Sequence, residues 1–386
     1  MAVAAAAVSS TGSEPPSAAP VSWALRVSIV PWVVARVLVG VAFAVAHELA
    51  TTDHVSTAAK ARIHEGLLGW DAGWYESIAR HGYAGAGHDS LRFFPLFPLL
   101  ARGLSVLPGV GVGTAVVVVA NVCALAGTAV LVGLVRVETG DDRLARRAAW
   151  LICLAPPAFT FVMGYAEGTL LVLSAGMFFA LRTGRWWWAA ALGVAAGLTR
   201  PLGALLFLPA AVEALRGLRS AGPGERVGRA AAVIGPVAGT GAFLGWVGWR
   251  YGNGLTPLRL QEEGVHHGRL VDPLVTLAHD ASYLAHGHHL GEGLHLPWVL
   301  LAVALLVVTF RTWPASYGVF ATAVLAVALA GSNLDSFERY ALSAFPLVLA
   351  GATLTSGHRV WRLVLVLSGA GLVGYALLAF ANLYVP

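Results

Sequence analysis

Apolar runs recur along almost the whole chain, separated by short polar breaks. A helix needs about 20 consecutive apolar residues to cross a bilayer. Runs at 23–46, 113–135, 148–163, 165–182, 186–199, 201–215, 229–249, 297–311, 315–330, 339–355 and 359–381 therefore predict about eleven crossing helices. A β-barrel would alternate weakly in segments of about ten residues instead. Two long polar stretches, 47–112 and 250–296, interrupt the apolar pattern. Within the first, Phe93-Phe94-Pro95-Leu96-Phe97-Pro98-Leu99-Leu100 is apolar but broken by two prolines and stops by Pro108-Gly109, which predicts an interfacial or re-entrant piece. Residues 1–22 are rich in Ala, Ser and Pro, lack periodicity, and read as a disordered tail. Ala44-Val45-Ala46 imitates a signal-peptidase site, but the long apolar run without a basic start favours an uncleaved anchor.

Composition excludes the soluble domains that 386 residues would otherwise allow. Hydrophobic residues make up 57% and charged residues only 12%, about half the ordinary share, and the mean hydropathy is +0.72. The expected fold is an all-α polytopic membrane protein, with residues 23–386 a single transmembrane domain. The net charge of +5 rests almost wholly on arginine, Lys60 being the sole lysine. These arginines sit in short loops, so they report topology rather than nucleic-acid binding. Arg26, Arg136, Arg143–Arg147, Arg182, Arg185, Arg216–Arg229, Arg311, Arg359 and Arg362 all fall on one side of the predicted spans. By the positive-inside rule that side and the N-terminus are cytoplasmic, and the loops 47–112, 250–296 and 331–338 are outside. Of 13 histidines only His358 then falls inside. Cys123 and Cys153 lie in apolar runs and read as buried free thiols.

Candidate chemistry concentrates on the outer side. In Trp70-Asp71-Ala72-Gly73-Trp74-Tyr75-Glu76, read as a helix, Leu67, Trp70, Trp74 and Ile78 form an apolar stripe suited to the membrane surface, and Glu76–Arg80 a solvent-side pair. Asp71 stands beside the stripe, either as a helix cap or as a general base over a cleft. Arg339, in Phe337-Glu338-Arg339-Tyr340, sits at the outer end of a span; it either pairs with Asp335 or Glu338 or binds a phosphate. Arg200, in Thr199-Arg200-Pro201, splits an apolar stretch. An arginine there costs roughly 2.5–3.5 kcal/mol on insertion, so it either snorkels or serves a function. Glu167 opens a helix, where the dipole alone accounts for it. His266-His267 and His286-Gly287-His288-His289 lack a supporting acid for a metal site. No Walker loop, GxSxG or HExxH occurs, so hydrolase and ATPase readings have no support.

These residues carry a resemblance. Trp70-Asp71-x-x-Trp74-Tyr75-x-x-Ile78-Ala79-x-x-Gly82-Tyr83 resembles the signature of the PIG-V-type mannosyltransferases. Phe93–Leu100, Tyr165-Ala166-Glu167, Gly197-Leu198-Thr199-Arg200-Pro201 and Phe337-Glu338-Arg339-Tyr340 with Phe345-Pro346 follow in the family's order. Arg92, directly before Phe93-Phe94-Pro95, and the extra histidines depart from the family pattern. The resemblance implies a bacterial member with a GT-C fold. It would transfer mannose with inversion from a polyprenyl-phosphate-mannose donor to an acceptor hydroxyl of a glycolipid, lipoglycan or protein at the outer face of the plasma membrane.

In that reading Asp71 is the catalytic base, with Arg339 and then Arg200 for the donor phosphate. Trp70, Trp74, Tyr75, Glu167 and Tyr340 support the cleft, and Phe93, Phe94 and Phe97 line a groove for the prenyl tail. The leaving phosphate needs positive charge rather than a proton, so no metal or other cofactor is expected. The rival readings are a lipid flippase or transporter, which also uses broken helices and intramembrane arginine, and a non-catalytic envelope-complex subunit.

Overall fold

The structure, a computed structural model, describes residues 20–51, 56–262, 271–286, 295–332 and 334–386. Residues 1–19 of the predicted tail 1–22, and the histidines His266, His267, His288 and His289, lie outside the described residues, while Val21 and Ser22 already belong to the first helix. In chain order the α-helices are α1 (Val21–Ala50), α2 (Thr57–Glu65), α3 (Asp71–Ala86), α4 (Leu96–Leu104), α5 (Val112–Thr139), α6 (Asp142–Leu154), α7 (Glu167–Arg182), α8 (Trp186–Gly197) and α9 (Phe207–Leu215). They continue as α10 (Pro223–Tyr251), α11 (Thr256–Gln261), α12 (Pro273–His286), α13 (His295–Thr312), α14 (Ala315–Leu329), α15 (Phe337–Ser343), α16 (Phe345–Leu354) and α17 (His358–Phe380). No strand occurs among the described residues, and the chain is an all-α polytopic membrane protein.

Among the described residues five helices, α1, α5, α10, α13 and α17, are long and apolar enough to cross a membrane on their own. Three runs that read as continuous in the sequence are broken instead. The run 148–163 ends its helix at Leu154 and continues as a 3₁₀ turn over Pro156–Phe161. The run 201–215 opens with a 3₁₀ turn, Pro201–Leu206, before α9. The run 339–355 divides into α15 and α16 at Ala344. The first two breaks lie directly at a proline, which has no N–H for the helix and pushes its predecessor, Ala155 or Arg200, out of the α conformation. The third lies two residues before Pro346, which stands in the first turn of the next helix, where its missing N–H costs nothing. The Pro95/Pro98 segment forms α4, whose 9 residues are too short to cross a bilayer.

Small residues set how the helices approach near the candidate site. A Cβ on Gly168, next to Glu167, would stand 2.7 Å from the Ala120 carbonyl of α5. A Cβ on Gly197, just before Thr199-Arg200, would stand 2.1 Å from the Pro236 carbonyl of α10. Glycine alone fits these contacts, as in small-residue packing between membrane helices generally. Glu167 and Arg200 are thereby placed by backbone contact rather than by flexible side chains.

The largest apolar core joins α1, α5–α7 and α14–α17. A second cluster packs Tyr75, Ile78, Phe93 and Phe97 beneath α3 and α4 against α5. The stripe expected to rest on the membrane surface therefore faces protein. Ile78 is buried, Trp74 stacks on Phe93 at 5.9 Å between ring centroids, and the Trp70 indole N–H donates to the Ala379 carbonyl at 3.0 Å. Packing against α4 and α17 buries more aromatic surface than a lipid interface would, since only one side of each ring would then be covered.

Candidate active site

The 28 residues of α5 span about 42 Å and separate two polar clusters. The candidate residues gather at the Val112 end. A cavity of about 600 Å³ opens there, lined by Trp70, Asp71, Tyr75, Arg92, Arg200 and Arg339 among others.

Asp71 is the first residue of α3, but its carboxylate does not cap the helix. It accepts a hydrogen bond from Arg339 Nη1 at 2.6 Å, across 268 residues of sequence. Arg339 Nε lies 3.5 Å from Glu167, and Glu167 also pairs with Arg200 through a hydrogen bond from Nη1. Asp71, Arg339, Glu167 and Arg200 thus form one chain of alternating charge with no net charge. Glu167, Arg200 and Arg339 are 9% exposed or less, whereas the Asp71 side chain keeps 23% exposure toward the cavity. Glu167 does more than meet a helix dipole, and Arg200 does not snorkel. The neighbour Glu338 turns away from Arg339, accepting from the Tyr384 hydroxyl at 2.8 Å and pairing with His295 at 2.8 Å.

Backbone geometry holds the two ends of the ion pair. Among the described residues, three outside glycine have positive φ, and two of them, Trp70 (φ 59°) and Ser336 (φ 64°), stand directly before α3 and α15. Such conformations cost on the order of 1–3 kcal/mol each and persist where the surroundings fix them. Around Trp70 the surroundings are the Ala379 hydrogen bond and the Arg62 guanidinium, 4.0 Å from the ring centre. The Tyr165 hydroxyl reaches the Asp71 backbone N–H at 3.4 Å, and Arg339 lies 5.4 Å over the Tyr165 ring.

Burial raises the Asp71 carboxyl, but Arg339, Arg92 and Arg200 outweigh it and hold the group below the ordinary carboxylate value of 3.8. Asp71 therefore stays ionised across the neutral range. Its pair with Arg339 stabilises the fold above the ordinary value and is lost as pH falls through the lower folded value. Burial, the larger influence, raises the Tyr75 hydroxyl and keeps it neutral.

Tyr340 lies under the same cations, 5.4 Å from Arg200 and 5.7 Å from Arg339. Of the expected tail-groove residues, Phe93 and Phe94 line the cavity. Phe97 is fully buried edge-on to Tyr75 at 4.8 Å. No group of three His, Cys, Asp or Glu side chains among the described residues could hold a metal ion. Sequence reasoning did not foresee that Asp71 and Arg339 hold each other, nor the contact from Tyr165. No local signal encodes a pairing over such a separation.

Residues 30–208 match the family model described as mannosyltransferase (PIG-V). None of the curated proteins matches the chain. The matched stretch contains Asp71, Arg92, Glu167 and Arg200; Arg339 lies beyond it and joins the site through its contact with Asp71. Over residues 30–208, a stretch that holds both Asp71 and Glu167, the chain is similar to the mannosyltransferase (PIG-V) family.

Proposed function

We propose that this protein is an inverting mannosyltransferase that uses a polyprenyl-phosphate-mannose donor and works at the extracytoplasmic face of the plasma membrane. The observation that carries the reading is the Asp71 carboxyl group, paired with Arg339 and facing the cavity. The acceptor oxygen attacks C1 of mannose and forms the new glycosidic bond. The C1–O bond to phosphate breaks, and its electron pair stays on the phosphate oxygen. The acceptor proton passes to Asp71, the general base. Attack from the face opposite the leaving group inverts the centre, as in single-displacement glycosyl chemistry.

The ion pair gives the step its electrostatic logic. While Asp71 is ionised, Arg339 is held to it. Once Asp71 takes the proton, that attraction falls away as the departing phosphate gains a second negative charge. Arg339 then turns its fork to the phosphate, with Arg200 behind it on Glu167. Arginine supplies the charge, so activity does not require a divalent ion and persists in excess EDTA. Rescue of lost activity by Mn²⁺ or Mg²⁺ would oppose this.

The placement outside rests on the positive-inside pattern. The arginines of the Glu138 end belong to loops rich in cations, and the cavity lies at the other end of α5. The N-terminus is then cytoplasmic. The acceptor is a hydroxyl of a glycolipid, lipoglycan or protein. The test is incubation of purified protein with labelled polyprenyl-phosphate mannose and membrane extract, followed by identification of the product. Labelled product that forms only with this donor supports the reading; transfer only from a nucleotide-linked mannose opposes it.

A further inference from the structure

Four arginines line the cavity: Arg62, Arg92, Arg200 and Arg339. Three are already matched by carboxylates, Arg62 by Glu65 at 2.5 Å, Arg200 by Glu167 and Arg339 by Asp71. Arg92 has no carboxylate and no hydrogen-bond acceptor among the described residues, and its buried Nε is without a partner. Its guanidinium rests 4.7 Å over Phe93 and 5.8 Å over Trp74. A cation placed on aromatic faces keeps its N–H edge free for an anion.

The segment bearing Arg92 is fixed on both sides. Leu91 and Phe94 are 1% exposed, the Phe93 N–H donates to the Ser90 carbonyl at 3.0 Å, and the Tyr83 hydroxyl donates to the Phe93 carbonyl at 2.7 Å. A guanidinium with a fixed root and unused donors is preorganised for a ligand, because little conformational freedom is lost on binding.

We infer that Arg92 is the ground-state anchor for the donor's phosphodiester, a role distinct from that of Arg339. The inference rests on the donor class proposed above. The buried network of Asp71, Glu167, Arg200 and Arg339 is neutral, so a phosphodiester placed against it would bring an unbalanced charge. Arg92 adds one positive charge and matches the single negative charge of the diester. Asp335 and the exposed Glu262 also face the cavity. Arg339 becomes available only after Asp71 is protonated, when the phosphate carries two negative charges.

No carboxylate is hydrogen-bonded to or paired with Arg92, and Asp71 keeps Arg339, so Arg92→Gln leaves no carboxylate without its partner and the protein folds. Donor KM should rise on the order of 10- to 100-fold, the usual worth of a charged hydrogen bond, with acceptor KM unchanged. Arg92→Lys should recover part of the loss, since it keeps the charge but not the fork. A second readout needs no turnover: wild type binds a short-chain polyprenyl phosphate in competition with labelled donor, Arg92→Gln binds it weakly, and the matching polyprenol binds neither. Mannose transfer by wild type with unchanged donor KM in both Arg92 variants overturns the inference and leaves the proposed function standing. Arg92-dependent binding of polyprenyl phosphate without mannose transfer supports the phosphate site and overturns the reaction. Equal binding of polyprenol and polyprenyl phosphate means that the tail alone is recognised, and overturns the anchor.

Discussion

At the Thr139 end of α5, Glu138 receives Arg182 through both carboxylate oxygens at 2.5 and 3.1 Å and the Tyr317 hydroxyl at 3.0 Å. Glu213 beside it accepts from Arg182 at 3.1 Å, Arg216 at 3.0 Å and Ser316 at 2.5 Å. None of the side-chain atoms of Glu138, Arg182 or Glu213 is buried without a partner among the described residues. A larger hollow of about 1060 Å³ opens at this end, yet apart from Arg185 its charged groups are spent on each other and on helix carbonyls, as when Arg229 donates to the Ala214 carbonyl at 2.7 Å. At the Val112 end the same two residue types, acid and arginine, leave Glu167 Oε2, Arg339 Nε and Arg92 Nε buried without a hydrogen bond. Unpartnered buried polar atoms cost stability, about 1–3 kcal/mol each and more for charged groups. Cavity size does not separate the ends. Completeness of pairing in the two buried networks does: the Glu138–Arg182–Glu213 network is finished and holds helices together, whereas the Asp71–Arg339–Glu167–Arg200 network is not.

Substitutions at the two ends can break this contrast. The largest effect is expected for Asp71→Asn, which keeps the shape but cannot take a proton. Turnover should fall on the order of 10²–10⁴-fold in protein that still folds in detergent, with thermal unfolding earlier because Arg339 loses its carboxylate; turnover within threefold of wild type removes Asp71 from the mechanism. Arg339→Lys should retain a fraction of activity, since the ammonium keeps charge but loses the bidentate geometry; full activity would assign the leaving-group charge to Arg200.

At the other end the expectation reverses. Glu138→Ala leaves Arg182 short of its main partner and should cost on the order of 3 kcal/mol of stability, seen as earlier thermal unfolding. The folded fraction should turn over normally. A specific loss of turnover there would show that the finished network also serves catalysis. The smallest effect is expected for Glu76→Gln, which removes the half-exposed Arg80 pair at 2.5 Å and should change stability by less than about 1 kcal/mol.

Most of the helices were legible because bilayer-length apolar runs carry their own signal. The breaks at Pro156 and Pro201 were harder to place, because an apolar run looks continuous until packing shows where the N–H-less residue interrupts it. Asp71, Arg200 and Arg339 stood out as charges without a topological reason. Their mutual pairing was not legible, because Arg339 meets Asp71 only after α15 and α3 pack, and the nearer acid Glu338 offered a simpler partner. Arg92 was visible as a departure from the family pattern, and its role emerges only where its neighbours are seen to be already matched. The aromatic stripe of α3 misled, since helical spacing marks a covered face without saying whether lipid or protein covers it.

The central claim is that the carboxylate held by Arg339 is the one that takes the acceptor's proton. The acid limb of kcat/KM measures it directly, because that limb reports the essential base of the free enzyme. In wild type, Asp71 is held below the ordinary carboxylate value of 3.8, so kcat/KM should stay flat from pH 7 to about 5. In Arg339→Gln the nearest opposing charge is gone and burial pushes Asp71 up. The residual activity should then fall along an acid limb displaced to higher pH. Profiles that superimpose after scaling would contradict the claim and place the base elsewhere.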